Sequence, residues 1–249
     1  MPLAWPAARQ AVAAANDIFG IKDKYKGTSG TSIVKVFALT AGMSGMSEKA
    51  LKITGIKYGK VYTHPANHAG YYPGASEMAM KLLFDENSGK VLGVQVIGGE
   101  GVDKRIDVIA MAIKHGLTVK DLADSDLAYA PPYGSAKDPV NLVGMVAVNH
   151  MSGISPLIHW GDLDGKEFLL DVRTRMEFAK GSVSGAVNIP VDDIRENLSA
   201  IPKDRNIAVF CQVGIRGHAA LRILKQHGYN VKNLSGGYLT YIDHKGSTS

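Results

Sequence analysis

The spacing of hydrophobic residues changes near residue 152. Before that point, apolar and β-branched runs bounded by turn residues predict strands at 31–37, 60–63, 78–84 and 91–97. The last two strands are joined by Asp85-Glu86-Asn87-Ser88-Gly89, which favours a hairpin. Apolar residues three or four positions apart then predict a helix that ends at His115-Gly116. This pattern indicates an antiparallel sheet with helices packed against it.

The chain after the linker residues 151–156 has a different pattern of hydrophobic residues. Residues 168–172 and 207–210 are short, continuous apolar runs separated by helix-like segments. Such runs are typical of strands that are buried on both faces of a parallel sheet. We therefore predict an α+β domain over residues 1–150 and an α/β domain, with a parallel sheet flanked by helices, over residues 155–246.

Composition narrows the classes of protein that remain. The 249 residues carry a formal charge of +5, 45% hydrophobic residues and a single cysteine. The charge excess is concentrated in neither half, so we predict no binding to nucleic acid. No apolar stretch approaches the length of a membrane span, and no secretion signal is recognisable, which favours a cytoplasmic protein. One cysteine excludes an intrachain disulfide and a thiolate zinc cluster, and we predict no metal site.

The single cysteine lies where a strand passes into a helix. Cys211 follows the strand 207–210 and opens a loop formed by Gln212, Val213, Gly214, Ile215, Arg216 and Gly217, after which a helix is predicted. A strand, tight loop and helix in this order aim backbone N–H groups and the positive end of a helix dipole at one point, which stabilises a thiolate. The alternative is a buried core thiol at the end of a strand.

Several motifs of the second domain resemble the rhodanese family of sulfurtransferases. They occur in the family's order, at residues 170–173 (Leu-Asp-Val-Arg), 177–178, 181–190, 211–216 and 234–238. Ser182 stands where the family usually has histidine, in a structural motif rather than in the active-site loop. The resemblance implies that Cys211 is the catalytic nucleophile and that residues Gln212 to Gly217 bind the transferred sulfur.

The length of the loop distinguishes between related chemistries. Related folds that act on phosphate or arsenate have a longer loop from cysteine to arginine, whereas four residues separate Cys211 from Arg216. By resemblance, the Cys211 thiolate takes a sulfane sulfur from a donor, and an acceptor thiol or cyanide removes it from the resulting persulfide. Coenzyme A persulfide or glutathione persulfide are the partners that this resemblance suggests.

The first domain resembles the dimerisation domain of flavin-dependent pyridine nucleotide-disulfide oxidoreductases, in the branch of coenzyme A-disulfide reductase and NADH oxidase. The matching residues are 2–4, 9–10, 30–37, 70–74, 103–107 and 129–139. The resemblance implies a homodimer. It also matches Tyr71 and Tyr129 to tyrosines that reach toward the redox cysteine of the partner subunit in that family. In this chain they would be a remnant of that site, and the alternative is a pair of turn tyrosines on proline-rich loops.

The resemblance to the reductases is incomplete. Gly98-Gly99-Glu100-Gly101 has the wrong spacing for a dinucleotide-binding loop and is predicted to be a turn between a strand and a helix. The flavin domain, the nicotinamide domain and the redox cysteine of the family have no counterpart in the sequence. We therefore expect no cofactor in this chain, although the full-length family uses FAD, NAD(P)H and, in some members, coenzyme A. We also expect a C-terminal fragment or truncated gene product.

Three functions are consistent with these features. The first is sulfur transfer at Cys211 in a module attached to the dimerisation domain. The second is the oxidoreductase activity of a complete flavoprotein that reduces a persulfide or coenzyme A disulfide and of which this chain is a part. The third is a non-catalytic dimerisation scaffold whose rhodanese module binds a thiol or a persulfide.

Overall fold

The computed structural model describes residues 3–246, which form one antiparallel and one parallel sheet. Met1 and Pro2, the first residues of the first predicted domain, lie outside the described residues. The antiparallel sheet with its helices comes first in the chain and the parallel sheet second. The predicted fold class, α+β followed by α/β, is therefore confirmed.

The first sheet has five strands in the order β1-β2-β5-β4-β3, and every neighbouring pair is antiparallel. The strands are β1 (Ser32–Val36), β2 (Leu39–Gly45), β3 (Tyr58–Thr63), β4 (Met78–Asp85) and β5 (Val91–Gly98). Strand β2 is not predicted from the sequence. Its residues include glycine and other small side chains with little intrinsic strand preference, and they form a strand because they pair with β1 on one side and β5 on the other.

The helices of the first domain lie before, between and after these strands in the chain. They are α1 (Ala4–Ile18), α2 (Glu48–Thr54), α3 (Val102–His115), α4 (Val119–Asp124) and α5 (Pro139–Met151). Helix α3 packs on β2 and β5, and α5 packs on β3. Val102, Ile106 and Ile109 of α3 are at most 1% exposed, which confirms the stripe that predicts this helix.

The second sheet is parallel throughout, in the order β6-β10-β9-β7-β8. Its strands are β6 (Leu157–Ile158), β7 (Phe168–Asp171), β8 (Val187–Asn188), β9 (Ile207–Phe210) and β10 (Val231–Leu234). The helices are α6 (Arg175–Ala179), α7 (Ile215–Gln226) and α8 (Gly237–Gly246). Every residue of β9 is buried, because this central strand has neighbours on both edges and covered faces. Its carboxyl end leads directly into Cys211.

The two domains contact each other through the strand end of β3 and the start of α8. The Tyr62 amide donates a hydrogen bond to Ser235 Oγ (2.9 Å), and His64 Nε2 lies 2.8 Å from Thr240 Oγ1. A cavity of about 790 Å³ lies between the domains, next to these contacts. None of the residues from Cys211 to Gly217 lines it, so the cavity and the cysteine loop are separate features. No helix within residues 3–246 has the length and apolar character that a membrane span requires.

Candidate active site

Cys211 lies at the floor of the loop between β9 and α7. The residue is 1% exposed and packs in the hydrophobic cluster of its domain. The Gly214 amide donates a hydrogen bond to Cys211 Sγ at 3.2 Å. The carbonyl oxygen of Cys211 accepts the Tyr238 N–H (2.8 Å), which joins the loop to the start of α8. Very little of the residue is therefore open to water.

The helix after the loop begins earlier than the sequence predicts. Helix α7 starts at Ile215, so Ile215, Arg216 and Gly217 belong to its first turn rather than to the loop. The shorter loop turns at Gly214, whose φ of 99° is a conformation that glycine adopts without strain. The N-terminus of α7 therefore lies against the sulfur, where the helix dipole and the Gly214 N–H both favour negative charge.

Asn233 on the neighbouring strand β10 holds the loop from behind. Its Nδ2 donates to the Gly214 carbonyl at 3.0 Å, and its buried Oδ1 has no hydrogen-bond partner among residues 3–246. A Cβ at Gly217 would lie 2.3 Å from Asn233 Oδ1, so only glycine fits at this position without a rearrangement. Asn233 could not be identified from the sequence, because it reaches the loop only through the pairing of β10 with β9 in the sheet.

Arg216 forms a closed ion pair with Glu177 of α6. Arg216 Nη1 and Nη2 lie 2.7 Å from Glu177 Oε2 and Oε1, so both ends of each group are engaged. The Arg216 hydrogen bonds lower the pKa of Glu177 to about 2. In turn, the Glu177 carboxylate, and after it the negative charge of the Cys211 thiolate, raise the pKa of Arg216. The arginine therefore stays charged beside the cysteine, but its charge is balanced.

A second, buried ion pair supports the site. Arg173 and Asp171 are 2% and 0% exposed, and Arg173 Nη2 lies 2.7 Å from Asp171 Oδ2. The Arg173 guanidinium also donates to the Gly181 carbonyl (2.8 Å) and stacks on the Tyr238 ring at 3.8 Å. Because Tyr238 also donates to the Cys211 carbonyl, the pair connects the end of β7 to the cysteine loop.

The two predicted tyrosines of the first domain come together on its surface. Tyr71 Oη and Tyr129 Oη lie 3.2 Å apart, and the residues are 77% and 49% exposed. The hydrogen bond between the two hydroxyls raises the pKa of Tyr129. The pair contributes two hydroxyls to the solvent-facing surface, and none of the residues around Cys211 takes part in it.

The turn from Gly98 to Gly101 does not fit a dinucleotide. It joins β5 of the antiparallel sheet to α3, which confirms its prediction as a strand-to-helix turn. A Cβ at Gly98 would lie 2.7 Å from the Met78 Cβ, and one at Gly101 would lie 2.5 Å from Arg105 Nη1. Packing within the domain therefore accounts for these glycines, and we assign no FAD or NAD(P)H to this turn. Among residues 3–246, no group of three His, Cys, Asp or Glu side chains could hold a metal ion.

Two family descriptions match separate parts of the chain. Residues 31–139 match the pyridine nucleotide-disulphide oxidoreductase dimerisation domain, and residues 157–244 match the rhodanese-like domain. Coenzyme A disulfide reductase of Staphylococcus haemolyticus is 41% identical over 148 residues. That match covers 59% of this chain and 33% of the relative. The chain thus spans about a third of the curated relatives it matches.

Two solved structures resemble both domains together. Reduced CoADR-RHD of Bacillus anthracis is 48% identical with a TM-score of 0.93, over 97% of this chain and 44% of that chain. The NAD-dependent persulfide reductase of A. fulgidus is 38% identical with a TM-score of 0.84, over 94% of this chain and 43% of that chain. Both structures extend well beyond the part that this chain matches.

Proposed function

Because this chain joins a pyridine nucleotide-disulphide oxidoreductase dimerisation domain to a rhodanese-like domain, we propose that it transfers sulfane sulfur through a persulfide on Cys211. The observation that supports this most directly is the Gly214 N–H aimed at Cys211 Sγ from the start of α7. A thiolate in that position gains from both the hydrogen bond and the helix dipole. A thiol that served only to fill the core would not need either.

The proposed reaction has two steps that balance in atoms and electrons. In the first, the Cys211 thiolate forms a bond to the outer sulfur of the donor. The bond between that sulfur and the rest of the donor breaks, and the leaving group departs with the electron pair. In the second, an acceptor thiolate takes the outer sulfur, and Cys211 leaves as a thiolate. No oxidant or reductant is consumed in the complete cycle.

The groups around Cys211 have separate roles in this scheme. Gly214 stabilises negative charge on the sulfur through its N–H. Asn233 is a positioning residue, since its hydrogen bond to the Gly214 carbonyl holds the residue whose N–H faces Sγ. Asp171 and Arg173 position Tyr238, whose N–H holds the Cys211 carbonyl.

Intact-protein mass spectrometry tests the proposal. Incubation with an organic persulfide should add the mass of one sulfur atom to the wild-type chain, and subsequent glutathione or coenzyme A should remove it. The Cys211→Ser variant should gain no sulfur. A wild-type chain that gains no sulfur from any sulfane donor would refute the proposal and favour a thiol-binding scaffold.

A second candidate function concerns a larger assembly. The likeness to CoADR-RHD and to a persulfide reductase along nearly the whole chain favours a role within a flavin-dependent homodimeric reductase of a persulfide or of coenzyme A disulfide. In that setting Cys211 would deliver sulfur to, or receive it from, the reductase centre. Light scattering tests the dimer, and flavin absorbance with NADH oxidation tests the reductase activity of the purified chain. A colourless monomer without NADH oxidation would leave sulfur transfer as the activity of the chain by itself.

A further inference from the structure

The charged side chains near Cys211 are paired with one another, although the proposed substrates are anionic sulfur compounds. Within residues 211–217, Arg216 is the one charged side chain. Both ends of its guanidinium are engaged by Glu177 at 2.7 Å. The loop therefore offers an incoming anion an arginine whose charge is already compensated.

Glu177 is held firmly in this pairing position. Its Oε2 also accepts the N–H and the Oγ1–H of Thr174, both at 2.9 Å, as part of the capping box that begins α6. With its pKa at about 2, the carboxylate carries its charge throughout the neutral range. An anionic substrate that approached Arg216 would therefore meet a guanidinium whose charge is balanced by a carboxylate that four hydrogen bonds retain.

The other arginine that supports the site is equally compensated. Arg173 is paired with Asp171 and buried beneath Tyr238, so it offers no charge to a ligand. The residues that directly precede Glu177 and Arg216 in the sequence are apolar and exposed to solvent. Met176 is 75% exposed and Ile215 is 63% exposed. Arg175, which precedes Met176, is also paired, with Asp193 at 2.8 Å.

We propose that Glu177 determines donor specificity, by compensating Arg216 so that Cys211 accepts sulfur from organic persulfides in preference to thiosulfate. This inference rests on the proposed sulfur transfer and adds the class of donor. Thiosulfate carries two negative charges on a small group, and its leaving group is the sulfite dianion. An organic persulfide carries at most one charge at its sulfur pair, and its leaving group is a single thiolate. A site without net positive charge disfavours the dianion more than the persulfide.

The Glu177→Gln variant tests this inference with little disturbance of the fold. Glutamine at the third position of a helix still completes a capping box, so the variant removes the charge and keeps the cap. Because Arg216 then has an uncompensated charge, the kcat/KM for thiosulfate relative to that for an organic persulfide should rise about tenfold. This gain should shrink as ionic strength increases.

The matched control is Asp121→Asn. Asp121 completes the capping box of α4 in the first domain. As at Glu177, hydrogen bonds from the N-cap residue, here Thr118, lower the pKa of the carboxyl group. Its replacement should leave the donor ratio unchanged. A second variant, Gln212→Lys, adds a cation to the loop without touching the ion pair, and it should also raise the ratio. It keeps the inference testable if Glu177→Gln fails to fold.

The outcomes separate the two proposals. If neither donor adds sulfur to the wild-type chain, the proposed function is wrong. If both donors react and the wild type prefers thiosulfate, the assignment of donor specificity is wrong while sulfur transfer stands. A donor ratio that stays the same in Glu177→Gln, or in Gln212→Lys where Glu177→Gln does not fold, would also overturn it. A preference for the organic persulfide that both variants reduce would support it.

Discussion

The two sites that the sequence singles out differ in how much of their environment the chain supplies. Cys211 is 1% exposed, and the residues that follow it are held by β10, α6 and α8 of the same domain, through Asn233, the Glu177 ion pair and Tyr238. Tyr71 and Tyr129 are exposed and hydrogen-bond to each other. The cysteine site has its positioning groups in place, whereas the tyrosine pair presents two hydroxyls to whatever surface meets it.

This difference shows which site can act within one domain. A nucleophile needs a fixed orientation and a stabilised charge, and both come from the residues that surround Cys211. A pair of exposed hydroxyls has neither until another surface fixes them and excludes water. We therefore expect the two sites to respond differently to substitution, and the predictions below test that difference.

The largest contrast is between removing the thiol and removing both tyrosine hydroxyls. Sulfur transfer from an organic persulfide to glutathione should vanish in Cys211→Ser, because no nucleophile remains in the loop. The double variant Tyr71→Phe with Tyr129→Phe should keep the rate within about twofold, since surface substitutions away from a site change little. Steady-state kinetics measures both. A large loss in the double variant would show that the two sites depend on each other.

The ion pairs of the second domain should differ strongly in their effect on stability. Asp171→Asn leaves the Arg173 charge buried and uncompensated, which should lower the free energy of unfolding by about 3–5 kcal/mol. The control is Asp193→Asn, which breaks a pair of similar length with Arg175, a side chain that is 80% exposed. That loss should be below about 1 kcal/mol. Urea denaturation compares them, and equal losses would contradict the assigned supporting role of the buried pair.

Close packing around the cysteine loop predicts a different response to alanine at two glycines. Gly217→Ala places a methyl group against Asn233 Oδ1 and should cost about 1–3 kcal/mol and slow sulfur transfer. The control, Gly70→Ala, lies beside Tyr71, where nothing stands within 4 Å of a new Cβ. It should change stability by less than about 0.5 kcal/mol.

Asn233→Ala sharpens the same test. It removes the side-chain oxygen that the Gly217 methyl group would meet, although it also removes the hydrogen bond to Gly214. The cost of the two substitutions together should be smaller than the sum of their separate costs, because one relieves the clash caused by the other. Strictly additive losses would show that the methyl group disturbs some other contact.

The same contrast explains which parts of the structure the sequence could reveal. Strands β4 and β5 and helix α3 follow their hydrophobic spacing, and Cys211 with Arg216 lies in a local motif. Strand β2 has no such spacing, since Gly42 is needed where α3 approaches: a Cβ there would lie 2.6 Å from Ile106. Here tertiary packing, rather than local preference, decides the structure.

Long-range pairing explains what else the sequence analysis did not identify. Glu177 lies 39 residues before Arg216, and their ion pair depends on α6 and α7 coming together. The Glu177-Phe178 segment belongs to the family resemblance, but no local pattern reveals its partner. Helix α5 is missed for a different reason. Its apolar residues surround the whole helix, so the one-sided stripe that identifies α3 is absent.

Acid should remove the contribution of the Glu177–Arg216 ion pair to the free energy of unfolding. The Glu177 pKa is about 2 in the folded chain, below its ordinary value of 4.5. The stabilisation by this pair is therefore fully present above about pH 4.5 and is lost as the pH falls toward 2. Both side chains are about one third exposed, so the effect should stay below about 1 kcal/mol. The stability difference between wild type and Glu177→Gln should shrink between about pH 5 and pH 3, and a constant difference would contradict this.

The smallest expected effect concerns the tyrosine pair. The hydrogen bond with Tyr71 raises the pKa of Tyr129 above its ordinary value of 10.0, so Tyr71→Phe should let that pKa fall back toward 10.0. Titration of tyrosine ring carbons by NMR measures the change at Tyr129. The control is Tyr133→Phe, which removes another tyrosine that is 72% exposed and should leave the Tyr129 titration unchanged. Because both hydroxyls face solvent, an unaltered pKa in Tyr71→Phe would mean that water replaces the lost partner fully. The pair would then have no fixed geometry of its own, and the contrast with the enclosed Cys211 would be greater.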